Sequence, residues 1–197
     1  MPKGIPLTEE QQSRRRREIF EAAVHLFLEK GFTETSMRQV AEAAGVGKST
    51  LYDYFATKDD ILVSFFENEL QTITERAAVI TQKDLPVEEK LCQILQAHLE
   101  YLIANKNFYL KLTVEAQRLP LQSQQRIQAS RHAYQDLMCH LIEEGIAAGR
   151  FRPVDPLLAM RIILAAIMPV AFTTRPSGTP QEMLTAALDI LLGGMRV

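Results

Sequence analysis

The stretch EAAGVGKSTLYDYF, residues 42–55, decides how the N-terminal part of this chain folds. Its Gly47-Lys48-Ser49-Thr50 looks like the end of a nucleotide-binding P-loop, in which a lysine holds phosphates. A P-loop also needs an earlier glycine, where this chain has Glu42, and a preceding β-strand. Residues 37–44 (MRQVAEAA) instead carry Ala and Glu at helical spacing. A P-loop-like nucleotide-binding protein is therefore a disfavoured alternative.

The same stretch fits two short helices joined by a tight turn. Ser36 and Gln39 have the spacing of a capping box, Ala41 is small enough for a close crossing, and Gly45 can take the left-handed conformation that ends a helix. The expected shared core is Val40, Ala44, Val46 and Leu51. A helix-turn-helix of this kind leaves residues with charge, hydroxyls or little bulk for a DNA groove: Gly47, Lys48, Ser49, Thr50 and Tyr52.

Composition sets limits on the rest of the chain. With 197 residues and 47% hydrophobic residues, it can bury a sizeable core. Its net charge of -2 means that any nucleic-acid binding must come from a local patch. The N-terminus lacks the continuous apolar segment of a signal peptide, and the longest apolar run is too short to cross a membrane. We expect a soluble, cytoplasmic protein in which Cys92 and Cys139 are reduced core thiols.

Apolar residues recur at helical spacing along the whole chain, and no stretch alternates with the period of a strand. The pattern predicts an all-α fold of about nine helices. Capping boxes are predicted at Thr57 with Asp60 and at Thr179 with Glu182. Longer helices are expected from 57 to about 80, after Pro86, over 108–118, from roughly 122 to 148, over 157–172 and from 180 to 193.

From residue 19 to residue 62 the sequence reads I-x-x-A-A-x-x-L-F…G-F…T-S-M-R-x-V-A-x-x-A-G-V-x-K-x-T-L-Y-x-Y-F…K-x-x-I-L. This pattern resembles the DNA-binding domain of the tetracycline-repressor (TetR) family. The resemblance implies that Ser36, Tyr54 and Lys58 touch phosphates, and that Arg38 and residues 48–52 face the major groove. The later helices resemble the family's ligand-binding and dimerisation domain in length and helix count.

Two groups of charged residues keep more than one interpretation. Lys58 lies in the first turn of a predicted helix, where a phosphate would relieve the unfavourable interaction of a lysine with the helix dipole, although a solvated surface lysine is the alternative. The run Arg14 to Arg17 is either a basic arm for the DNA backbone or a solvated helix start.

The C-terminal helices carry more apolar surface than a small domain covers. The segment 157–172 is apolar around nearly its whole circumference, and the following helix adds an apolar face. We expect a homodimer through these last two helices, with an internal core of a monomer as the alternative.

Between the two ends lie aromatic and flexible apolar residues that would suit a cavity for a small molecule. The candidate set is Tyr101, Phe108, Tyr109, Leu112, Glu115, Tyr134 and Met138, although a structural core is the better interpretation for any single one of them. Glu115 could select a cation or hydroxyl in such a pocket, or form a salt bridge with Arg118 or Arg131.

Four potential metal ligands recur every fourth residue on one helical face, namely His132, Asp136, His140 and Glu144. They lie opposite the apolar face and are expected in water. No catalytic motif supports the alternative of a helical enzyme. We therefore expect no metal and no cofactor.

The sequence predicts a DNA-binding domain over residues 1–56 and an effector-binding and dimerisation domain over 57–197. Together they describe a repressor that binds a near-palindromic operator as a homodimer and is released by a small, largely apolar effector.

Overall fold

The computed structural model describes residues 8–196, which form ten helices and one isolated β-bridge, between Phe151 and Arg196. The helices are α1 Glu9–Lys30, α2 Met37–Ala43, α3 Lys48–Tyr54, α4 Lys58–Thr81, α5 Val87–Ala104, α6 Lys106–Ala116, α7 Leu121–Ala147, α8 Pro156–Ala165, α9 Ile167–Phe172 and α10 Pro180–Gly193. The all-α prediction is confirmed, and the predicted number of about nine helices differs from ten because one predicted helix is broken in two.

That break lies between α8 and α9, within the segment predicted as a single helix over 157–172. Pro169 has no backbone N–H, and its ring would collide with the carbonyl of Ala165 in a continuous helix. The chain accordingly leaves α8 at Ala166, whose N–H bonds the carbonyls of Ile163 and Leu164, and then enters α9.

The chain divides into two compact units, the first comprising Met1–Glu67 with Leu110–Ile127 and the second Asn68–Tyr109 with Gln128–Val197. The first unit holds α1, α2, α3 and parts of α4, α6 and α7; the second holds α5, α8, α9, α10 and the other parts of α4, α6 and α7. The predicted boundary after residue 56 lies before this division, which falls inside α4.

Three local signals shape the first unit. Thr8 forms a capping box with Gln11, so α1 begins well before its apolar stripe. Ser36 forms the predicted capping box with Gln39 at the start of α2. Gly45 has φ +63°, the left-handed conformation that its position in the turn between α2 and α3 requires. The core of the helix-turn-helix contains fully buried Val40 and Leu51.

The second unit is built around a continuous apolar cluster contributed by α4, α5, α7, α8, α9 and α10. One close approach within it depends on a glycine. A Cβ at Gly145 would lie 2.3 Å from Cδ2 of Phe151, a ring that is only 1% exposed. No helix within residues 8–196 combines the length and apolar character needed to span a membrane.

Candidate DNA-binding surface and effector domain

The outer face of α3 presents polar and aromatic groups from a firmly anchored helix. Leu51 is completely buried, whereas Lys48, Ser49, Tyr52 and Asp53 are exposed. The ammonium of Lys48 lies 5.9 Å from the centre of the Tyr52 ring, on the same face. This arrangement offers a cation, a hydroxyl and an aromatic edge to a groove, with the backbone held by the core.

The start of α3 is unobstructed. Gly47 is the N-cap residue and makes no side-chain cap hydrogen bond. A Cβ at this position would meet nothing closer than 3.9 Å, the distance to Oγ1 of Thr50. Thr50 is half-buried, so among the predicted groove residues it is the one turned furthest toward the protein. Gly47 thus lies at an exposed turn where the backbone itself is open to a partner.

Both predicted contacts on α2 have partners within their own helix or cap. The Ser36 hydroxyl accepts from the Gln39 N–H at 3.3 Å and donates to Gln39 Oε1 at 2.8 Å. Arg38 donates from Nε to Oε1 of Glu42 at 2.8 Å, and this hydrogen bond raises the pKa of Arg38. Both residues are exposed, and the Arg38 side chain retains 83% exposure. Its remaining N–H groups are therefore accessible to DNA.

Lys58 has a different environment from the one predicted. Its ammonium donates to the backbone carbonyls of Phe32 at 2.9 Å, Thr33 at 3.0 Å and Thr35 at 3.2 Å. It also lies 4.6 Å from the centre of the Phe32 ring. An ammonium has three N–H donors, and the carbonyls use all of them. This geometry makes Lys58 a brace for the α1–α2 turn, and its predicted phosphate contact stays a prediction.

The N-terminal arginine run, residues 14–17, lies within α1, and its contact with the DNA backbone stays a prediction. Arg14 and Arg15 approach Glu18 at 3.8 and 3.3 Å. Arg16 donates to Oγ of Ser64 at 3.1 Å and lies 4.5 Å from the centre of the Phe55 ring.

Arg16 also reaches the end of α3. Its Nη1 lies 3.5 Å from the backbone carbonyl of Tyr54, at the negative end of the helix dipole. The Tyr54 side chain is half-buried, in agreement with a ring that packs on the protein. This function of Arg16 leaves no signal in the local sequence, because its partners lie 38 and 48 residues away.

In the second unit, buried Tyr134 of the apolar cluster pairs with half-buried His98. Nδ1 of His98 and the hydroxyl of Tyr134 share a hydrogen bond of 3.1 Å, and their rings meet edge to face. Burial lowers the pKa of His98 to about 4, so its imidazole is neutral near pH 7. Burial also raises the pKa of Tyr134. Met138, from the predicted pocket set, is completely buried in the same cluster.

A second polar group lies on α4 and α5. Burial raises the pKa of Glu69, and a hydrogen bond from Tyr101 opposes this rise. The pKa of Tyr101 is raised by burial and by Glu69, while the Arg76 guanidinium lies 5.2 Å from the centre of its ring. Tyr101 belongs to the predicted pocket set, whereas its partners Glu69 and Arg76 do not, since nothing in the local sequence pattern pairs α4 with α5 at these positions.

Of the two aromatic residues on α6 that were predicted to line a pocket, Tyr109 contacts another aromatic ring. Tyr109 stacks on Phe172 with ring centres 5.6 Å apart, and Lys106 lies 5.5 Å from the centre of the same Phe172 ring. Phe108 is half-buried. These contacts all lie within the second unit.

Leu112 and Glu115, also predicted for the pocket, belong to the first unit. Leu112 is 1% exposed. Oε1 of Glu115 lies 3.4 Å from Nη1 of Arg118, which is one of the two salt bridges considered from the sequence. The Glu115 carboxylate therefore has a charged partner in the turn that follows α6, which weakens the case for a free carboxylate in a pocket.

The four residues tested as metal ligands on α7, namely His132, Asp136, His140 and Glu144, are all exposed, as predicted. His140 pairs with Glu143 at 3.3 Å. No group of three or more metal-binding side chains in suitable positions exists among residues 8–196.

An apolar surface remains uncovered on the last helices. A groove of about 310 Å³ runs between α8 and α10 and is lined by residues that include Leu158, Ile162 and Ile190. These three side chains are 55%, 47% and 76% exposed. Contiguous exposed apolar residues of this kind mark a surface that another molecule covers.

Comparison with known proteins identifies the family. Residues 19–65 match the family model described as bacterial regulatory proteins, tetR family, and residues 84–195 match the tetracyclin repressor-like C-terminal domain. The chain therefore belongs to the TetR family. It is a DNA-binding transcriptional repressor with a ligand-binding domain.

Similar proteins include the fatty acid metabolism regulator protein of Bacillus subtilis, which is 25% identical over 90% of this chain and 94% of that protein. The repressor KstR2 of Mycobacterium tuberculosis is 29% identical over 94% of each chain. The crystal structure of FadR from Bacillus subtilis in complex with stearoyl-CoA is 26% identical, covers 91% of this chain and 99% of that one, and superimposes with a TM-score of 0.77.

Replacing Lys58 with methionine tests its role as a brace. Lys58→Met keeps most of the aliphatic stem but leaves three carbonyls without their donor, so the free energy of unfolding should fall by about 1–3 kcal/mol. Lys48→Met, at an exposed lysine of the same unit, should change it by less than about 0.5 kcal/mol. Urea unfolding followed by circular dichroism measures both. Equal stability of the two variants, with a smaller salt dependence of DNA binding for Lys58→Met, would return Lys58 to the phosphate role.

Proposed function

We propose that this repressor binds a near-palindromic operator in the cytoplasm as a homodimer and leaves it when a largely apolar effector binds the C-terminal domain. The observation that carries the DNA-binding part is the outer face of α3, where Lys48, Ser49 and Tyr52 project from a helix fixed by Leu51. These side chains have the charge and hydrogen-bonding capacity that base edges and phosphates require.

The proposed DNA contacts fall into two groups. Those for the major groove are Arg38, Gly47, Lys48, Ser49, Thr50 and Tyr52, and those for the phosphate backbone are Ser36 and Tyr54. Exposure of Lys48 and Tyr52 supports the first group most directly. Lys58 acts indirectly, since its bonds to the α1–α2 turn hold α2 in place.

Selection of genomic fragments by the purified protein should enrich a common inverted repeat at moderate salt. Lys48→Ala should then weaken binding to that repeat by about 1–3 kcal/mol and relax the preference at one base position, because the cation reads a base edge. Lys83→Ala, which removes the same charge from an exposed site in the second unit, should bind as the unchanged protein does.

Binding is measured by fluorescence anisotropy on the selected duplex and on a scrambled duplex at several salt concentrations. Failure to enrich any repeat would contradict operator binding. Equal losses on the two duplexes for Lys48→Ala would assign that lysine to phosphate contact instead.

The apolar groove between α8 and α10 supports the homodimer. Leu157 and Leu158 of α8 and Ile190 of α10 are too exposed for an isolated monomer surface to be favourable. In a two-fold dimer each copy would cover the same surface of its partner, with α8 and α10 from both chains packing as four helices. Such a dimer also places two copies of α3 for two half-sites of an inverted repeat.

Ile190→Glu should dissociate the dimer. A carboxylate at this position would lose its water against an apolar partner surface, which should weaken self-association about tenfold or more. Val79→Glu, at a site on α4 that is 68% exposed, is the matched control and should leave the mass unchanged. Sedimentation equilibrium should give twice 22.3 kDa for the unchanged protein and the control. A monomeric unchanged protein, or an Ile190→Glu dimer of full strength, would contradict this interface.

For the effector, we favour a molecule with a long apolar part and one carbonyl, such as a fatty acyl thioester. The second unit contains a large apolar cluster, and its half-buried His98 and buried Tyr134 form a neutral pair suited to a carbonyl. The relatives support this class, since one is a fatty acid metabolism regulator and a similar structure holds stearoyl-CoA.

A further inference from the structure

The start of α7 is tied to the start of α4 by one arginine. Nη1 of Arg126 lies 3.3 Å from Oδ1 of Asp60, and its Nη2 lies 3.1 and 3.2 Å from the two oxygens of Glu67. Asp60 and Glu67 are nearly two turns apart on α4, so a single guanidinium spans that length of helix. Its planar fork holds two carboxylates in a fixed geometry that a lysine cannot reproduce.

The segment around Arg126 is held to the first unit by other bonds. We name residues 110–127, the end of α6 and the start of α7, the α6–α7 corner. Lys111 donates to the backbone carbonyl of Leu28 on α1 at 2.9 Å. Gln124 donates to the carbonyls of Gln117 and Leu119 at 3.1 and 2.8 Å, which closes the corner on itself. The corner is thus an internally bonded piece attached to both α1 and α4.

Asp60 connects this corner with the helix-turn-helix. Its Oδ2 accepts from the N–H and the hydroxyl of Thr57 at 3.1 and 2.8 Å, which forms the N-terminal cap of α4. The next residue, Lys58, holds the carbonyls of the α1–α2 turn. Polar contacts thus join Arg126 to the cap of α4, and the adjacent Lys58 joins the start of α4 to the turn that precedes α2.

The chain passes between the two units at three points, after Glu67, after Tyr109 and after Ile127. Two of these crossings lead into the α6–α7 corner. We propose that Arg126 is a positioning residue that makes the corner move together with the first turns of α4, so that a displacement of α6 or α7 in the effector-bound protein reaches the DNA-binding helices. This proposal rests on the function proposed above and identifies the contact through which effector and operator communicate.

The ion pairs of Arg126 are exposed enough that removing them can test the coupling without unfolding the protein. The exposed fractions of the three side chains are 44% for Arg126, 35% for Asp60 and 33% for Glu67. Ion pairs that are this accessible to water contribute little to the free energy of unfolding. Removing the guanidinium should therefore leave the protein folded while it disconnects α7 from α4. Arg118 offers a matched control, because it lies in the same corner and pairs within α6 and its adjoining turn, with Glu115.

The test is amide hydrogen exchange on the full chain, comparing the unchanged protein with Arg126→Gln, Arg126→Lys and Arg118→Gln. Without DNA, residues 58–67 and 121–127 should exchange about fivefold faster in Arg126→Gln, while Arg118→Gln should match the unchanged protein. Arg126→Lys should lie between them, since it keeps the charge but not the fork. Unchanged exchange in Arg126→Gln would overturn the proposal whether or not an operator has been found.

The second measurement adds the operator duplex obtained by selection. Operator should slow exchange at residues 121–127 in the unchanged protein and in Arg118→Gln, because the corner belongs to the DNA-binding unit. In Arg126→Gln this slowing should disappear while protection of α2 and α3 remains, a result that loss of folding would not give. Retained slowing at 121–127 in Arg126→Gln would refute the coupling. If the unchanged protein binds no duplex, the proposed function fails, and the exchange rates without DNA still decide the role of Arg126.

Discussion

The ammonium of Lys58, bonded to three backbone carbonyls of the α1–α2 turn, is the contact on which the DNA-binding unit depends. The turn follows Gly31, which has φ +94°, and Thr35 closes it by donating from its N–H to the Phe32 carbonyl and from its hydroxyl to the Gly31 carbonyl. Lys58 adds three further hydrogen bonds to this turn from the first residue of α4. Because α3 packs on α2 through Leu51 and Val40, the position of the recognition face follows from the position of the turn.

Arg16 complements this brace at the opposite end of α3. It connects α1 to the carbonyl end of α3 and to Ser64 of α4. Lys58 and Arg16, two cations that the sequence suggests as DNA contacts, thus also stabilise the packing of the helices that carry the exposed face of α3. Lys48 and Arg38 are both exposed and remain the cations proposed for the major groove.

The features that could be predicted from the sequence are those formed by residues close to one another along the chain. The capping boxes at Ser36, Thr57 and Thr179 are all present, because a cap needs only residues three positions apart. The roles of Lys58 and Arg16 depend on partners 23 to 48 residues away, which no local pattern reveals. Pro169 was visible in the sequence, yet the break it causes at Ala166 was not predicted, since the apolar pattern continues across it. The pair His98 and Tyr134 likewise required the packing of α5 against α7.

The central claim is that one chain joins effector binding to operator binding, and thermodynamic linkage makes this claim measurable in one experiment. Calorimetric titration of stearoyl-CoA into the dimer, without and with saturating operator duplex, gives two dissociation constants. The account predicts that operator weakens effector binding by about 5- to 150-fold, the usual range of such coupling, and that effector weakens operator binding by the same factor. Identical dissociation constants in the presence and absence of operator, or no binding in either, would contradict it.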